Sequence, residues 1–305
     1  MAEVRRATLK DVAAASGVSR ATVSFVLNDT PNQTISEATR ARILQAVRDL
    51  GYKPHGIAKA LREGASRIVV LQIESGLEGN YSRSYLRGLD AELADHGHVL
   101  VVRHGPAGQV LDAINPRAVL SLGEPYRTGR ELDDTGGGWR DGLAAHVALQ
   151  IRHLAENGHR SMALALPATD APLGEVRLRF AQEAAASLGL PPLRSVVIPR
   201  QREAGVAALR EFRAVSSAVT AVAAHDDDVA LRVLAGLRDL GVSVPGECAV
   251  IGFDDTEYGA LFAPALTTVR IDAEAHGRLS ARRVLGLDLG DVTPVPARVI
   301  SRQTV

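Results

Sequence analysis

Thr8-Leu-Lys-Asp-Val-Ala-Ala-Ala-Ser-Gly17-Val-Ser-Arg-Ala-Thr-Val-Ser-Phe-Val-Leu-Asn28 is the stretch on which the rest of the chain turns. Two short apolar-periodic runs, Leu9/Val12/Ala13 and Val23/Val26/Leu27, flank a Gly17-Val18 turn, and Ser19 is placed to cap the second run. The pattern predicts helix, tight turn, helix, a unit able to lay its second helix in a DNA major groove. With Val23, Val26 and Leu27 inward, Arg20, Ala21, Ser24, Phe25 and Asn28 share the opposite face.

Charge supports that reading once it is resolved along the chain. The formal net charge of the 305 residues is zero. Residues 1–62, however, carry ten Lys/Arg against five Asp/Glu, and all three lysines lie there, so a basic head precedes an acidic body. This is the footprint of a module that meets phosphates. Hydrophobic content is 46% and aromatic content 4%, and no apolar run is long enough to span a bilayer. Residues 1–30 lack a signal peptide's order of charge, apolar core and cleavage site, and the single Cys248 excludes an internal disulfide. A cytoplasmic protein without a membrane partner is expected.

A third helix is predicted from Ser36, its cap, to Leu50, with Ile43, Leu44, Val47 and Leu50 on one face; Gly51 ends it and Pro54 blocks resumption. His55–Arg62, with Gly56 inside, is too short to hold a helix alone and reads as a linker that becomes helical when ordered. From Arg67 strands alternate with helices. Candidate strands are Ile68–Ile73, Val99–Val102, Ala118–Leu122, Ser161–Leu166, Ser195–Ile198, Ala218–Ala223 and Ala249–Phe253. Amphipathic stretches such as Tyr85–Asp95, Leu143–Glu156, Arg177–Leu188 and Val229–Leu240 lie between them. Short apolar strands alternating with helices call for parallel sheets, and seven strands call for two α/β lobes with a ligand cleft at the strand ends. The expected domains are a headpiece at 1–54, a hinge at 55–66 and a two-lobed body at 67–305.

These pieces resemble the LacI/GalR family of bacterial transcriptional repressors over nearly the whole chain. The head carries Thr8-Leu9-x-Asp11-Val12-Ala13, Gly17-Val18-Ser19, Thr22-Val23-Ser24, Asn28, Gly51-Tyr52-x-Pro54 and Ala58-x-x-Leu61. The body carries Gly158-His159-Arg160, Val244-Pro245-Gly-Glu-Cys-Ala-Val-Ile-Gly-Phe-Asp254-Asp255 and Pro264-Ala-Leu-Thr-Thr-Val269. The resemblance implies an α/β chain: an all-α helix-turn-helix headpiece with a hinge, then a two-lobed effector domain like type I periplasmic binding proteins. It further implies a homodimer, a double-stranded operator as partner, a small-molecule effector, sugar-like by default, and no cofactor.

The resemblance assigns base-edge contacts to Arg20, Ala21 and Phe25. Arg20 can donate two hydrogen bonds to guanine, whereas Ala21 and Phe25 offer only apolar contact. Phe25 stands where many relatives have arginine, and a fourth core residue is its alternative reading. Thr8, Ser19, Thr22, Ser24 and Asn28 suit phosphates, which position a helix without specifying sequence. In the hinge, Leu61 matches the leucine that enters the central minor groove, with Ala58 and Lys59 facing the groove and His55 replacing the usual asparagine. An inserted leucine unstacks a base step and bends the duplex; an inert tether is the alternative.

For the effector, Arg177, Asp226 and Asp254 match the family's contacts. An arginine fork facing two carboxylates satisfies several hydroxyls, though a structural Arg–Asp network is the plain alternative. Phe180 replaces a family glycine and Asp226 a family asparagine. Between Val102 and Leu143 the chain is shorter than the family norm, with Asp141 the nearest acid and Tyr126 and Trp139 in the unmatched stretch, so altered chemistry or an unused cleft is expected. Gly136-Gly137-Gly138 reads as a flexible loop. His225-Asp226-Asp227-Asp228 is no metal site by itself, since consecutive residues do not converge on one ion. No nucleophile–base–orienter set is visible, so an enzyme is disfavoured, as is a free-standing periplasmic-type binding protein.

Overall fold

The computed structural model describes residues 7–27, 33–52, 66–73, 79–104, 111, 114–122, 139–168, 173–290 and 292–305. The chain divides into two compact units, Met1–Arg67 and Ile68–Val305. In the first, α1 (Leu9–Ser16), α2 (Arg20–Leu27) and α3 (Glu37–Asp49) bury Val12, Ala13, Val23, Val26, Ile43 and Ala46 together.

Local chemistry sets the ends of these helices. Thr8 and Asp11 form a capping box: the Thr8 amide donates to Asp11 Oδ2 at 2.7 Å and the Asp11 amide to Thr8 Oγ1 at 3.4 Å. Gly17 closes α1 at φ 67°, a region that strains any side chain. Ser19 Oγ accepts the Thr22 amide at 3.1 Å and Ser36 Oγ that of Thr39 at 3.3 Å. The reading of Ile43, Leu44, Val47 and Leu50 as the inner face of α3 holds for Ile43 and Val47 only. Leu44 and Leu50 are 37% and 39% exposed, and Ala46 is buried instead. Leu44 lies one residue, about 100°, round from Ile43, and Leu50 falls past the last helical residue.

The second unit contains β1 (Ile68–Ile73), α4 (Asn80–Asp95), β2 (Val99–His104), β3 (Ala118–Leu122), α5 (Trp139–Glu156), β4 (Met162–Pro167), α6 (Leu173–Ser187) and β5 (Arg194–Ile198). They are followed by α7 (Arg202–Val215), β6 (Ala221–Ala224), α8 (Asp227–Asp239), β7 (Ala249–Ile251), α9 (Glu257–Leu261), β8 (Thr268–Arg270), α10 (Ala273–Leu285) and β9 (Arg298–Ile300). One parallel sheet runs β2-β1-β3 and a second β5-β4-β6-β7, while β8 and β9 pair antiparallel. All seven anticipated strands are present. Two are shorter than expected: β6 begins at Ala221, and β7 stops at Ile251, ahead of a turn in which Asp254 has φ 97°.

The second sheet is covered on both faces. Ile151, Leu154 and Phe180 pack from α5 and α6 on one side, Leu209, Val233 and Leu237 from α7 and α8 on the other. On the first sheet, Val69, Leu71 and Ile73 pack against Tyr85, Leu89 and Leu93 of α4 and Ala281 of α10. The two helices cross through glycines: a Cβ on Gly88 would lie 1.9 Å from the Glu274 carbonyl oxygen, and one on Gly277 2.1 Å from that of Tyr85. Beside the crossing, the buried Glu92 carboxylate accepts Arg282 Nε at 2.7 Å and Arg278 Nη1 at 3.5 Å.

Asp227, wholly buried at the start of α8, ties three segments of the second lobe together. Its Oδ1 accepts the Phe253 amide at 2.8 Å and the Thr268 hydroxyl at 2.6 Å; its Oδ2 accepts the Thr256 amide at 2.6 Å and hydroxyl at 3.2 Å. Gly252 is required beside it, because a Cβ there would lie 2.0 Å from Oδ1. Burial pushes this carboxyl up to about 6, although its four donors favour the ionised form.

Two outcomes follow for stability. Gly88→Ala, which in an open helix stabilises by about 1 kcal/mol, should here destabilise the body by about 3 kcal/mol through overpacking in urea unfolding. Asp227→Asn is isosteric, yet its amide turns donors toward donors, so unfolding should show a loss of at least about 3 kcal/mol.

Candidate nucleic-acid interface and effector cleft

In the headpiece, Val23 and Val26 turn α2 so that Arg20 and Ala21 stand exposed at its start, with Ser24 and Phe25 half-buried one turn on. Phe25 is half-buried, between the exposed edge of α2 and the buried Val23 and Val26. The hydroxyls of Thr8, Ser19 and Thr22 are already engaged: Thr8 Oγ1 donates to Asp11 Oδ2 at 2.7 Å, and Ser19 Oγ and Thr22 Oγ1 lie 2.9 Å apart. They shape the helix starts. The first turn of α2 then presents its amide end, which attracts anions, beside an open concavity lined by Lys10, Ala14, Gly17, Ser19 and Arg20. Asn28, His55, Ala58, Lys59 and Leu61 lie outside the described residues.

In the body, the polar residues anticipated for the effector come together at the carboxyl ends of β6 and β7. Gln150, projecting from α5 and fully buried, donates to the carbonyls of Ala224 at 2.9 Å and Gly252 at 3.0 Å, tying both strand ends to one helix. Its Oε1 lies 3.5 Å from Arg177 Nη2. Arg177 is 3% exposed, and its guanidinium sits 3.7 Å over the Phe253 ring. Asp226 caps α8 by accepting the Val229 amide at 2.7 Å, and its other oxygen faces His225 Nδ1 at 3.4 Å. Burial opposes its charge, but the His225 hydrogen bond and the Val229 amide outweigh this and hold the carboxyl low.

Asp254 behaves differently. Burial and the neighbouring Asp226 charge push it up to about 7. Its Oδ2 receives a long contact, 3.4 Å, from the Tyr81 amide at the start of α4. Around these groups stand three histidines that no family motif marks. His146 is driven down to about 4 by burial and by the charges of His276 and Arg177. His225 and His276 are also lowered by burial, so all three are neutral near pH 7. Tyr81 Oη lies 3.3 Å from His276 Nδ1, and the Tyr81 ring stacks on Tyr85 at 6.2 Å.

The first lobe thus contributes Asn80, Tyr81 and His276, none of which sequence reasoning singled out. Gln150 had a legible signal, a lone amide on the apolar side of an amphipathic run. The others had none, because only the fold brings 80, 254 and 276 together. The side chains of Trp139 and Asp141, and Tyr126 altogether, lie outside the described residues. Among the described residues no three His, Cys, Asp or Glu side chains could hold a metal ion.

The family model for bacterial regulatory proteins of the lacI family matches residues 8–55, and that for a periplasmic binding protein-like domain matches residues 151–305. Among characterised proteins, the transcriptional regulator CelR of Thermobifida fusca is 28% identical, covering 97% of this chain and 96% of its own length. The regulator GalR of Escherichia coli K12 is 28% identical, covering 95% and 91%. The Lac repressor dimer bound to operator and the anti-inducer ONPF shares the fold at a TM-score of 0.80, with 22% identity over 98% of this chain and 99% of that one. A CelR–cellobiose complex matches at a TM-score of 0.62, with 25% identity over 98% and 100%. No described helix is long and apolar enough to cross a membrane. With both units matched and relatives aligned end to end, the chain belongs to the lacI family of bacterial regulatory proteins.

Proposed function

We propose that this chain is a sequence-specific DNA-binding transcriptional repressor of the cytoplasm. It reads a twofold operator as a homodimer and responds to a sugar-like small molecule in the cleft between its lobes. The observation that carries the reading is the exposed Arg20–Ala21 edge of a helix whose opposite face is locked into a three-helix core. Arg20, Ala21 and Phe25 contact base edges. Thr8, Ser19, Thr22, Ser24 and Asn28 serve the phosphate side, which positions the helix without specifying sequence. His55, Ala58, Lys59 and Leu61 belong to the hinge segment 55–66, in which Leu61 enters the minor groove.

Arg177, Asp226 and Asp254 hold the effector. Arg177 is fixed by Phe253 and Gln150, so its charge works from a set position, while Asp226 stays ionised beside it. Charged groups of both signs among neutral histidines suit a neutral polyhydroxylated ligand better than a highly charged one. The CelR–cellobiose complex supports a sugar-like occupant.

Dimerisation is supported by apolar exposure on α9, where Leu261 is 80% and Tyr258 56% exposed. Such residues side by side mark a contact surface, and paired half-sites demand twofold symmetry.

Selection of binding sites from genomic fragments should return a palindromic sequence. On it, Arg20→Ala should weaken binding about 10- to 100-fold and relax preference at one base per half-site, while non-specific binding keeps a steep salt dependence. Equal affinity of the wild type for selected and random duplex would refute the reading. Leu261→Asp should shift the protein toward monomer in analytical ultracentrifugation and weaken operator binding, with the thermal melt of each unit retained.

A further inference from the structure

The two lobes of the body touch directly at the cleft. The Asn80 side-chain amide, at the first residue of α4, donates to the Asp254 carbonyl at 2.8 Å and to the Asp255 carbonyl at 3.4 Å. The next amide, Tyr81 N–H, points to Asp254 Oδ2 at 3.4 Å. A Cβ on Gly79 would stand 3.2 Å from that same oxygen, so the approach is as close as a glycine allows. The receiving turn is rigid. Asp254 and Asp255 have φ of 97° and 49°, Asp227 holds the flanking Phe253 and Thr256 amides, and Asp255 is gripped by Arg270 at 2.5 Å and Arg302 at 2.7 Å.

We infer that Asn80 is an interlobe latch: by bonding the 254–255 turn it holds the lobes together, so that cleft entry requires the latch to open. The two carbonyls it engages belong to the turn after β7 of the second lobe, whereas Asn80 sits on a helix packed on the first sheet, so this is a contact between lobes and not a helix cap. Gly79, the N-cap residue of α4, makes no side-chain capping bond, and the Asn80 amide reaches away from its own helix. The device deepens the reading of the cleft as a ligand site, because Asp254 serves both purposes. An occupant that hydrogen-bonds its carboxylate takes it from the Tyr81 amide, and one that parts the lobes breaks the Asn80 bonds. Ligand entry and lobe closure are therefore linked, and each shifts the other's equilibrium by the same factor.

The test uses the full-length protein without any ligand, so its outcome is independent of whether the cleft binds a small molecule. Spin labels on cysteines replacing the exposed Asp90 of α4 and Glu211 of α7, in labelled chains diluted with unlabelled ones, report the interlobe distance by double electron–electron resonance. The native Cys248 is buried and stays unlabelled. Wild type should give one narrow distance. Asn80→Ala should add a longer population, and Asn80→Asp, which sets a carboxylate against two carbonyls, should make it dominant. Both variants should keep wild-type circular dichroism. Identical distance distributions in all three proteins would overturn the latch. So would broadening accompanied by loss of helical signal, which would make Asn80 a support of the fold.

Discussion

The second lobe is organised around one buried carboxylate. Asp227, at the start of α8, gathers donors from Phe253 and Thr256 of the turn after β7 and from Thr268 of β8, segments that otherwise have no reason to share a point in space. A charge taken out of water survives only where its acceptor positions are filled, and here two oxygens receive four hydrogen bonds. The consequence is positional. The turn after β7 cannot drift, so Phe253 lies under Arg177 and Asp254 faces the opposite lobe. Gly252 completes the arrangement by leaving the oxygen room.

The headpiece rests on a different principle. Its buried core is small and made of aliphatic side chains, and its polar chemistry sits at helix ends, including the buried Ser16, whose Oγ donates to the Val12 carbonyl at 2.7 Å. Thr8 with Asp11, Ser19 with Thr22, and Ser36 with Thr39 settle orphan amides that would otherwise fray a helix of eight residues. The reading face of α2 is what remains after the core has taken Val23 and Val26. Its position next to Lys10 and the amide end of the helix concentrates positive potential where a duplex backbone would lie.

In the cleft, burial decides protonation. The same surroundings keep Asp226 charged, where a histidine and an amide serve it, and lift Asp254, where an acidic neighbour and a long contact do not. The three histidines are neutral for a common reason, desolvation by burial. Neutral imidazoles, Tyr81 and Asn80 thus stand close to Asp254 and its neighbours.

The helix-turn-helix, the third helix, the seven parallel strands and the triplet Arg177, Asp226 and Asp254 were legible in the order of residues. Each rests on local rules: a 3.6-residue apolar period, caps at fixed offsets, short aliphatic runs, or a contiguous motif. The exposure of Leu44, the role of Asp227 and the meeting of Asn80 with Asp254 were not. They depend on where helices and turns far apart in the chain come to rest. A sequence declares which groups are polar and how they are spaced along one element. Whether a carboxylate becomes a clamp, a cap or a cleft wall is settled by the donors that packing brings to it, and those come from segments dozens to more than a hundred residues away.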